Sequence, residues 1–217
     1  MLKIYGANLS APANKVRMTA NVLGIAYEYV QVKIREGDNR KPEYLKLHPA
    51  GKVPVINDNG FVLFESDAIV KYLANSVLSP LYPDEFKQRA VIDQWMDFIA
   101  LHVGSAMGRV LFNRVFASFA KIPVDERSLN DGLKFLDRFL PVVDQQLAKG
   151  RYIASNNFSL ADISLLATLD PAEVAGVELS SYEHIVKWRA GLIRKDFYTK
   201  CHTSYDEALK AMMAGAK

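Results

Sequence analysis

The chain has a single cysteine, Cys201, among 217 residues. That excludes an internal disulfide and any cysteine-rich metal site. Cys201 sits in the polar segment "TKCHTSYD" with no Cys-x-x-Cys partner and reads as a spectator thiol. The histidines His48, His102, His184 and His202 are scattered without metal-ligand spacing, so no metal is expected. No apolar run approaches the roughly 20 residues that cross a bilayer. Charge of one sign is also scarce. A formal net charge of +3, without a long Lys/Arg run, leaves no footprint for nucleic acid or a membrane surface. The opening "MLKIYGANLS" lacks the apolar stretch and cleavage site of a signal peptide, which predicts a cytoplasmic protein. Internal repeats and low-complexity tracts are absent too.

What is present is ordinary globular material, half hydrophobic and a quarter charged, long enough for one large domain or two small ones. The chain changes character near residue 80. Before it, the runs "LKIY", "AYEYVQVKI", "VPVIN" and "FVLFE" read as strands, and "DNG" between the last two is a hairpin turn signal. Val16, Ala20 and Leu23 recur at helical spacing until Gly24. Ile69, Tyr72 and Leu73 mark another helix after Phe64. "VLSPLYPDE" carries two prolines and reads as a linker. Beyond it only helical patterns follow, over residues 84–117, 125–149, 159–169, 181–194 and 205–213. A small α/β domain therefore precedes an all-helical one.

Three stretches carry candidate chemistry. In "GKVPVINDNGF", a proline one residue into a strand removes a ladder donor. Either Pro54 is trans at a strand start, or a cis bond frees the Val53 backbone to pair with an extended, peptide-like ligand. In "FESDAIVKYLA", Glu65 and Ser66 fall where a strand turns into a helix. Ser66 either caps that helix or joins its free N–H groups in holding a carboxylate, with Glu65 accepting from an ammonium beside it. In "NLSAPANKVR", Ser10 is either a cap or a hydroxyl that donates to an anion. Lowering a thiol from about 8.5 to about 7 takes roughly 2 kcal/mol of thiolate stabilisation. One hydrogen bond to a charged group contributes about 1.5–3 kcal/mol, so a single hydroxyl is of the right size.

Taken in order and spacing, "LSAPANKVRMTANVLG", "HPAGKVPVINDNGFVLFESDAIVKYLA", "LYPDEFKQRAVIDQW" and "FSLADISL" resemble the cytosolic glutathione transferases along nearly the whole chain. The first resembles the serine-type members (theta-, delta- and phi-like, bacterial-type). The resemblance implies a thioredoxin-like N-terminal domain over residues 1–78, a linker over 79–84, and an all-α C-terminal domain over 85–217. It implies a homodimer that attacks small hydrophobic electrophiles with glutathione thiolate, using glutathione as co-substrate and no tightly bound cofactor. Ser10 takes the place of the thiolate-stabilising hydroxyl, with Tyr5 as runner-up because other classes use a tyrosine near strand one. Val53, before a cis Pro54, pairs with the cysteinyl part. Glu65 and Ser66 hold the γ-glutamyl end, and Lys52 and Arg40 stand near positions that contact the glutathione backbone or its glycine end, with a solvated surface role as the competing reading. Phe98, His102, Met107, Arg109, Phe112 and Phe116 are candidates for the second-substrate lining, with core or dimer packing as the competing role for each. Arg109 is the one cation there that would steer a polar electrophile. Ser159 and Asp162 form a structural helix cap, and Phe158 with Ile163 a hydrophobic staple. The alternatives are a glutathione-dependent disulfide reductase or peroxidase of the same fold, and a non-catalytic interaction module.

Overall fold

The computed structural model describes residues 1–201. The helix expected over 205–213 and His202 lie outside the described residues. Contacts divide the chain into two units, Met1–Pro83 joined by the described residues from Lys195, and Asp84–Arg194.

The first unit runs β1 (Leu2–Gly6), α1 (Ala11–Val22), β2 (Tyr27–Gln31), α2 (Pro42–Leu45), β3 (Val55–Asp58), β4 (Phe61–Phe64) and α3 (Ser66–Ser76). Short 3-10 turns, Ile34–Glu36 and Asp38–Arg40, precede α2. The sheet order is β2-β1-β3-β4, which is thioredoxin-like. β1 and β2 pair in parallel across the α1 crossover, while β3 runs antiparallel to both β1 and β4. The hairpin between β3 and β4 turns on Asn59 and Gly60, whose φ angles of 50° and 100° are the pair that a tight two-residue turn requires. α1 stops at Gly24, in the left-handed region, where Ile25 N–H donates to the Ala20 carbonyl at 3.0 Å.

Period-two alternation sorts β1 into two faces. Leu2, Ile4 and Gly6 are buried on the face that meets α1, and Gly6 lies so close to Ala13 that a Cβ there would sit 2.9 Å from the Ala13 Cβ. Tyr5 lies on the opposite face, in a cluster with Val32, Tyr44 of α2 and Val55. α3 buries Ile69, Val70, Leu73 and Ala74, whereas Tyr72 is only half-buried and donates its hydroxyl to Asp58 Oδ2 at 2.8 Å.

In the second unit, α4 (Phe86–Phe98), α5 (Ser105–Leu111) and α6 (Ala117–Ala120) form one continuous helix, interrupted by π turns at Ile99–Gly104 and Phe112–Phe116. It runs three residues past the end expected from sequence and stops at Lys121, φ 54°. α7 (Glu126–Leu147), α8 (Leu160–Leu169) and α9 (Glu183–Leu192) complete the unit. Asp125 caps α7 by accepting from Ser128 N–H at 3.0 Å. α8 is almost wholly buried, so its sequence is apolar on every side.

The last described element, α10 (Asp196–Thr199), packs on α1 in the first unit. Asn21 Nδ2 donates to the Phe197 carbonyl at 3.0 Å, and Tyr198 and Cys201 are buried. Residues 79–83 are also more than a tether, since Leu81 and Tyr82 are buried and Ser79 Oγ accepts from Leu81 N–H.

Candidate functional site

Three segments of the first unit hold the candidate binding residues: the start of α1, the segment before β3, and the start of α3.

At the start of α1, Ser10 is the N-cap in extended conformation, and its Oγ accepts from Ala13 N–H at 3.3 Å. A hydroxyl that accepts in this way retains its hydrogen, and no acceptor among the described residues takes it. Cap and anion donor are therefore compatible roles. The turn before it is closed by Ser10 N–H on the Ala7 carbonyl at 2.9 Å. Asn14, fully buried, donates Nδ2 to the Asn8 carbonyl at 3.0 Å and so fixes this turn from beneath. Tyr5 is half-buried and meets the Tyr44 ring edge-on at 6.4 Å. It belongs to the α2 face of the sheet, whereas Ser10 opens the helix on the other.

The Val53–Pro54 bond is cis. Val53 stands outside the ladder, because β3 begins two residues later at Val55. The segment is held from α2's side. Tyr44 donates its hydroxyl to the Lys52 carbonyl at 2.8 Å, and Asn39 Nδ2 donates to the Gly51 carbonyl at 2.7 Å. Burial pushes the Tyr44 hydroxyl well above its ordinary value, so it stays a donor. Gly51 is required on two counts: φ is 61°, and a Cβ would meet the Asn39 carbonyl oxygen at 2.6 Å. The Lys52 and Arg40 side chains are exposed.

At the start of α3, Glu65 adopts φ 69°, unusual for a residue with a side chain, and its side chain makes no capping bond. The first N–H groups of α3 therefore have no Glu65 side-chain cap, and Ser66 is the first residue of the helix. His48, nearly buried, packs on Phe64 with ring centroids 4.6 Å apart and accepts from Ala50 N–H on Nδ1. Burial lowers its pKa, while Glu65 nearby pulls it back up. A neutral ring with the proton on Nε2 fits both observations.

Two residues that sequence reasoning passed over join these elements. Lys15 of α1 is buried, and its ammonium meets Asp67 Oδ1 of α3 at 2.5 Å. The detectable signal was its register, since Lys15 lies beside Val16 and Thr19 on the buried face of α1.

In the helical unit, Phe98 and His102 form an aromatic cluster with Trp95 and Phe139. They also line a depression of about 470 Å³ with Gln94, Asp97, Leu101 and Val142. Met107 is packed in the core at 2% exposure. Arg109 and Phe112 are exposed, and Phe116 is half-buried. So the six candidates do not share one surface: Phe98 and His102 are together, and Met107 is interior. In the α8 cap, Asp162 Oδ2 accepts from both the N–H and the hydroxyl of Ser159, each at 3.0 Å, and Oδ1 from Ile153 N–H and Trp188 Nε1–H. Phe158 meets the ring of Tyr152 at 5.4 Å. Among the described residues no group of His, Cys, Asp or Glu could hold a metal, and no helix is long and apolar enough to cross a membrane.

Both units match known families. A model of the glutathione S-transferase N-terminal domain matches residues 4–77, and one of the C-terminal domain matches residues 108–196. Among solved structures, glutathione transferase F2 from Populus trichocarpa is similar with a TM-score of 0.86 and 28% identity, over 97% of this chain and 100% of that one. A delta-class glutathione transferase from Nilaparvata lugens gives 0.83 and 28%, over 98% of this chain and 100% of that one. Glutathione S-transferase-I bound to lactoylglutathione gives 0.82 and 27%, over 96% and 99%.

Proposed function

The chain belongs to the glutathione S-transferase family, and from that premise we propose how its own residues bind and activate glutathione. The activity is glutathione transfer, and neither the disulfide-reductase nor the interaction-module reading is favoured. Glutathione is the substrate of the family, and one similar structure carries lactoylglutathione.

The tripeptide lies along the first unit. Its γ-glutamyl carboxylate meets the N–H groups at the start of α3 and the Ser66 hydroxyl, and its ammonium meets Glu65. The cysteinyl backbone pairs with Val53 in the manner of an added strand. Lys52 and Arg40 face the glycine carboxylate. The thiol then lies at the start of α1. There Ser10 donates its hydroxyl hydrogen to sulfur, and the positive end of α1 favours the anion. The thiol proton leaves to water. The thiolate lone pair forms the new carbon–sulfur bond as the leaving group departs with its electron pair. No covalent enzyme intermediate is needed, so the protein's contribution is thiol activation and positioning. Phe98, His102, Arg109, Phe112 and Phe116 remain candidates for contact with a small hydrophobic electrophile. The chain pairs as a homodimer, the role that competes with substrate contact for Phe98 and His102, whose depression also carries exposed Leu101 and Val142.

The observation that carries the reading is the Ser10 hydroxyl, which caps α1 with its oxygen and keeps its hydrogen available. Retention on immobilised glutathione, together with the ultraviolet thiolate absorbance of bound glutathione against pH, tests it. Wild type should bind and ionise the thiol near neutral pH. Ser66→Ala should bind weakly, and Ser10→Ala should bind without ionising the thiol. A wild-type protein that fails to retain glutathione overturns the assignment.

A further inference from the structure

Lys15 and Asp67 form an ion pair in an unexpected place. An ammonium in the second turn of α1 faces the positive end of its own helix, and this one is buried besides. Burial pushes it down from its ordinary value, and Asp67 resists that shift by charge and hydrogen bond, helped by Glu65 and opposed by Lys71. For holding α1 against α3, an apolar pair of the same volume would serve at least as well. What an apolar pair lacks is direction.

Direction is what the start of α3 needs. Glu65 sits at φ 69° with no capping bond from its side chain, and Ser66 and Asp67 follow at once. Asp67 is within the first turn of α3, so its carboxylate would otherwise be free to fold back onto the open N–H groups and occupy the anion site itself. Lys15 takes that carboxylate sideways at 2.5 Å, while the Asp67 side chain remains about a quarter exposed.

We propose that the Lys15–Asp67 pair is a latch that keeps the start of α3 open for the γ-glutamyl carboxylate and fixes it against α1, making Lys15 a positioning residue for glutathione. This rests on the reading that Glu65 and Ser66 hold the γ-glutamyl end. The latch acts on one end of the tripeptide. The Ser10 turn has its own support from Asn14, so thiol ionisation in the bound state is independent of the latch.

Glutathione binding by calorimetry and the thiolate pKa at saturation test this on Lys15→Met, Lys15→Arg and the double variant Lys15→Met/Asp67→Asn, each with its thermal midpoint. Lys15→Met should weaken glutathione about tenfold, the size of one modest hydrogen bond, with the bound thiolate pKa unchanged. Lys15→Arg, which keeps the charge, should restore affinity. The double variant should regain thermal stability but not affinity, which a purely structural pair would not produce. Wild-type affinity in Lys15→Met or in the double variant overturns the latch. Ser66→Ala is measured alongside. If it binds normally, the γ-glutamyl assignment falls and the latch with it. If it binds weakly while Lys15→Met binds normally, the latch alone is wrong.

Discussion

Ser10 Oγ accepts the Ala13 N–H at 3.3 Å, which ties one side of a single hydroxyl to the helix and leaves the other for a ligand. Losing such a hydroxyl removes two things. The cap contributes about 1 kcal/mol to stability. The donor to sulfur contributes about 1.5–3 kcal/mol, so Ser10→Ala should raise the bound thiol pKa by about 1–2 units and lower kcat/KM roughly 10- to 100-fold near neutral pH. Ser10→Thr should retain most of both. Tyr5→Phe should leave the thiolate titration unchanged, because that ring packs on Tyr44 on the other face of the sheet. A pKa that moves in Tyr5→Phe and not in Ser10→Ala would exchange the two roles.

Tyr44 donates to the Lys52 carbonyl at 2.8 Å and thereby holds the segment that presents Val53. Tyr44→Phe keeps the ring and its packing and deletes only that bond. Glutathione affinity should fall about 3- to 10-fold, in proportion to one neutral hydrogen bond of about 1 kcal/mol, with the bound thiolate pKa unchanged. Calorimetric titration with glutathione reads the first and thiolate absorbance the second.

Much of this arrangement is visible in sequence where a local rule acts alone. Asn59-Gly60 must turn, Ser10 before a proline must start a helix, and Ser159 with Asp162 must cap one. What escapes are features set by partners distant in the chain. Lys15 looks like a polar break in the apolar face of α1 until Asp67, 52 positions on, is brought beside it. The π turn at Phe112–Phe116 accompanies a buried Asn113 that donates Nδ2 to the Arg109 carbonyl and accepts from Asp125 N–H, and no helical periodicity announces that. α10 falls between the helices expected over 181–194 and 205–213, and no helical pattern marks it. Its packing on α1 depends on Asn21 meeting the Phe197 carbonyl, a pairing without a pattern.

Gly132 lets α7 approach α5. A Cβ there would stand 3.0 Å from the Ala106 carbonyl oxygen, Arg109 Cβ and Val110 Cγ2. Gly132→Ala gains helix propensity of just under about 1 kcal/mol and presses on one carbonyl oxygen and two side-chain carbons, which must each give way slightly. Overpacking of this kind costs about 1–3 kcal/mol, so the net effect should be destabilising, with glutathione affinity of the folded protein unaltered. Urea denaturation of wild type and variant decides it, and a stabilised variant would show that the helices separate easily.

Asp162 is fully buried with donors on both oxygens, from Ile153, Trp188 and Ser159. Asp162→Ala should cost about 3–5 kcal/mol, because the donors are left unpaired, while glutathione binding by the folded fraction stays as in wild type. The charge itself carries a second, opposite effect. Burial raises the carboxyl to about 6 from its ordinary 3.8, against the pull of those hydrogen bonds. The folded state therefore binds the proton more tightly than the unfolded chain does. The associated stability is complete below the unfolded value and is lost as pH rises through about 6. The loss amounts to about 3 kcal/mol for a shift of roughly two units. Asp162→Asn has no proton to release, so its stability lacks this term. The gap between wild type and Asp162→Asn should narrow by up to about 3 kcal/mol between about pH 4 and pH 7 in paired denaturation series. A gap independent of pH would show that the four hydrogen bonds hold the carboxylate ionised throughout.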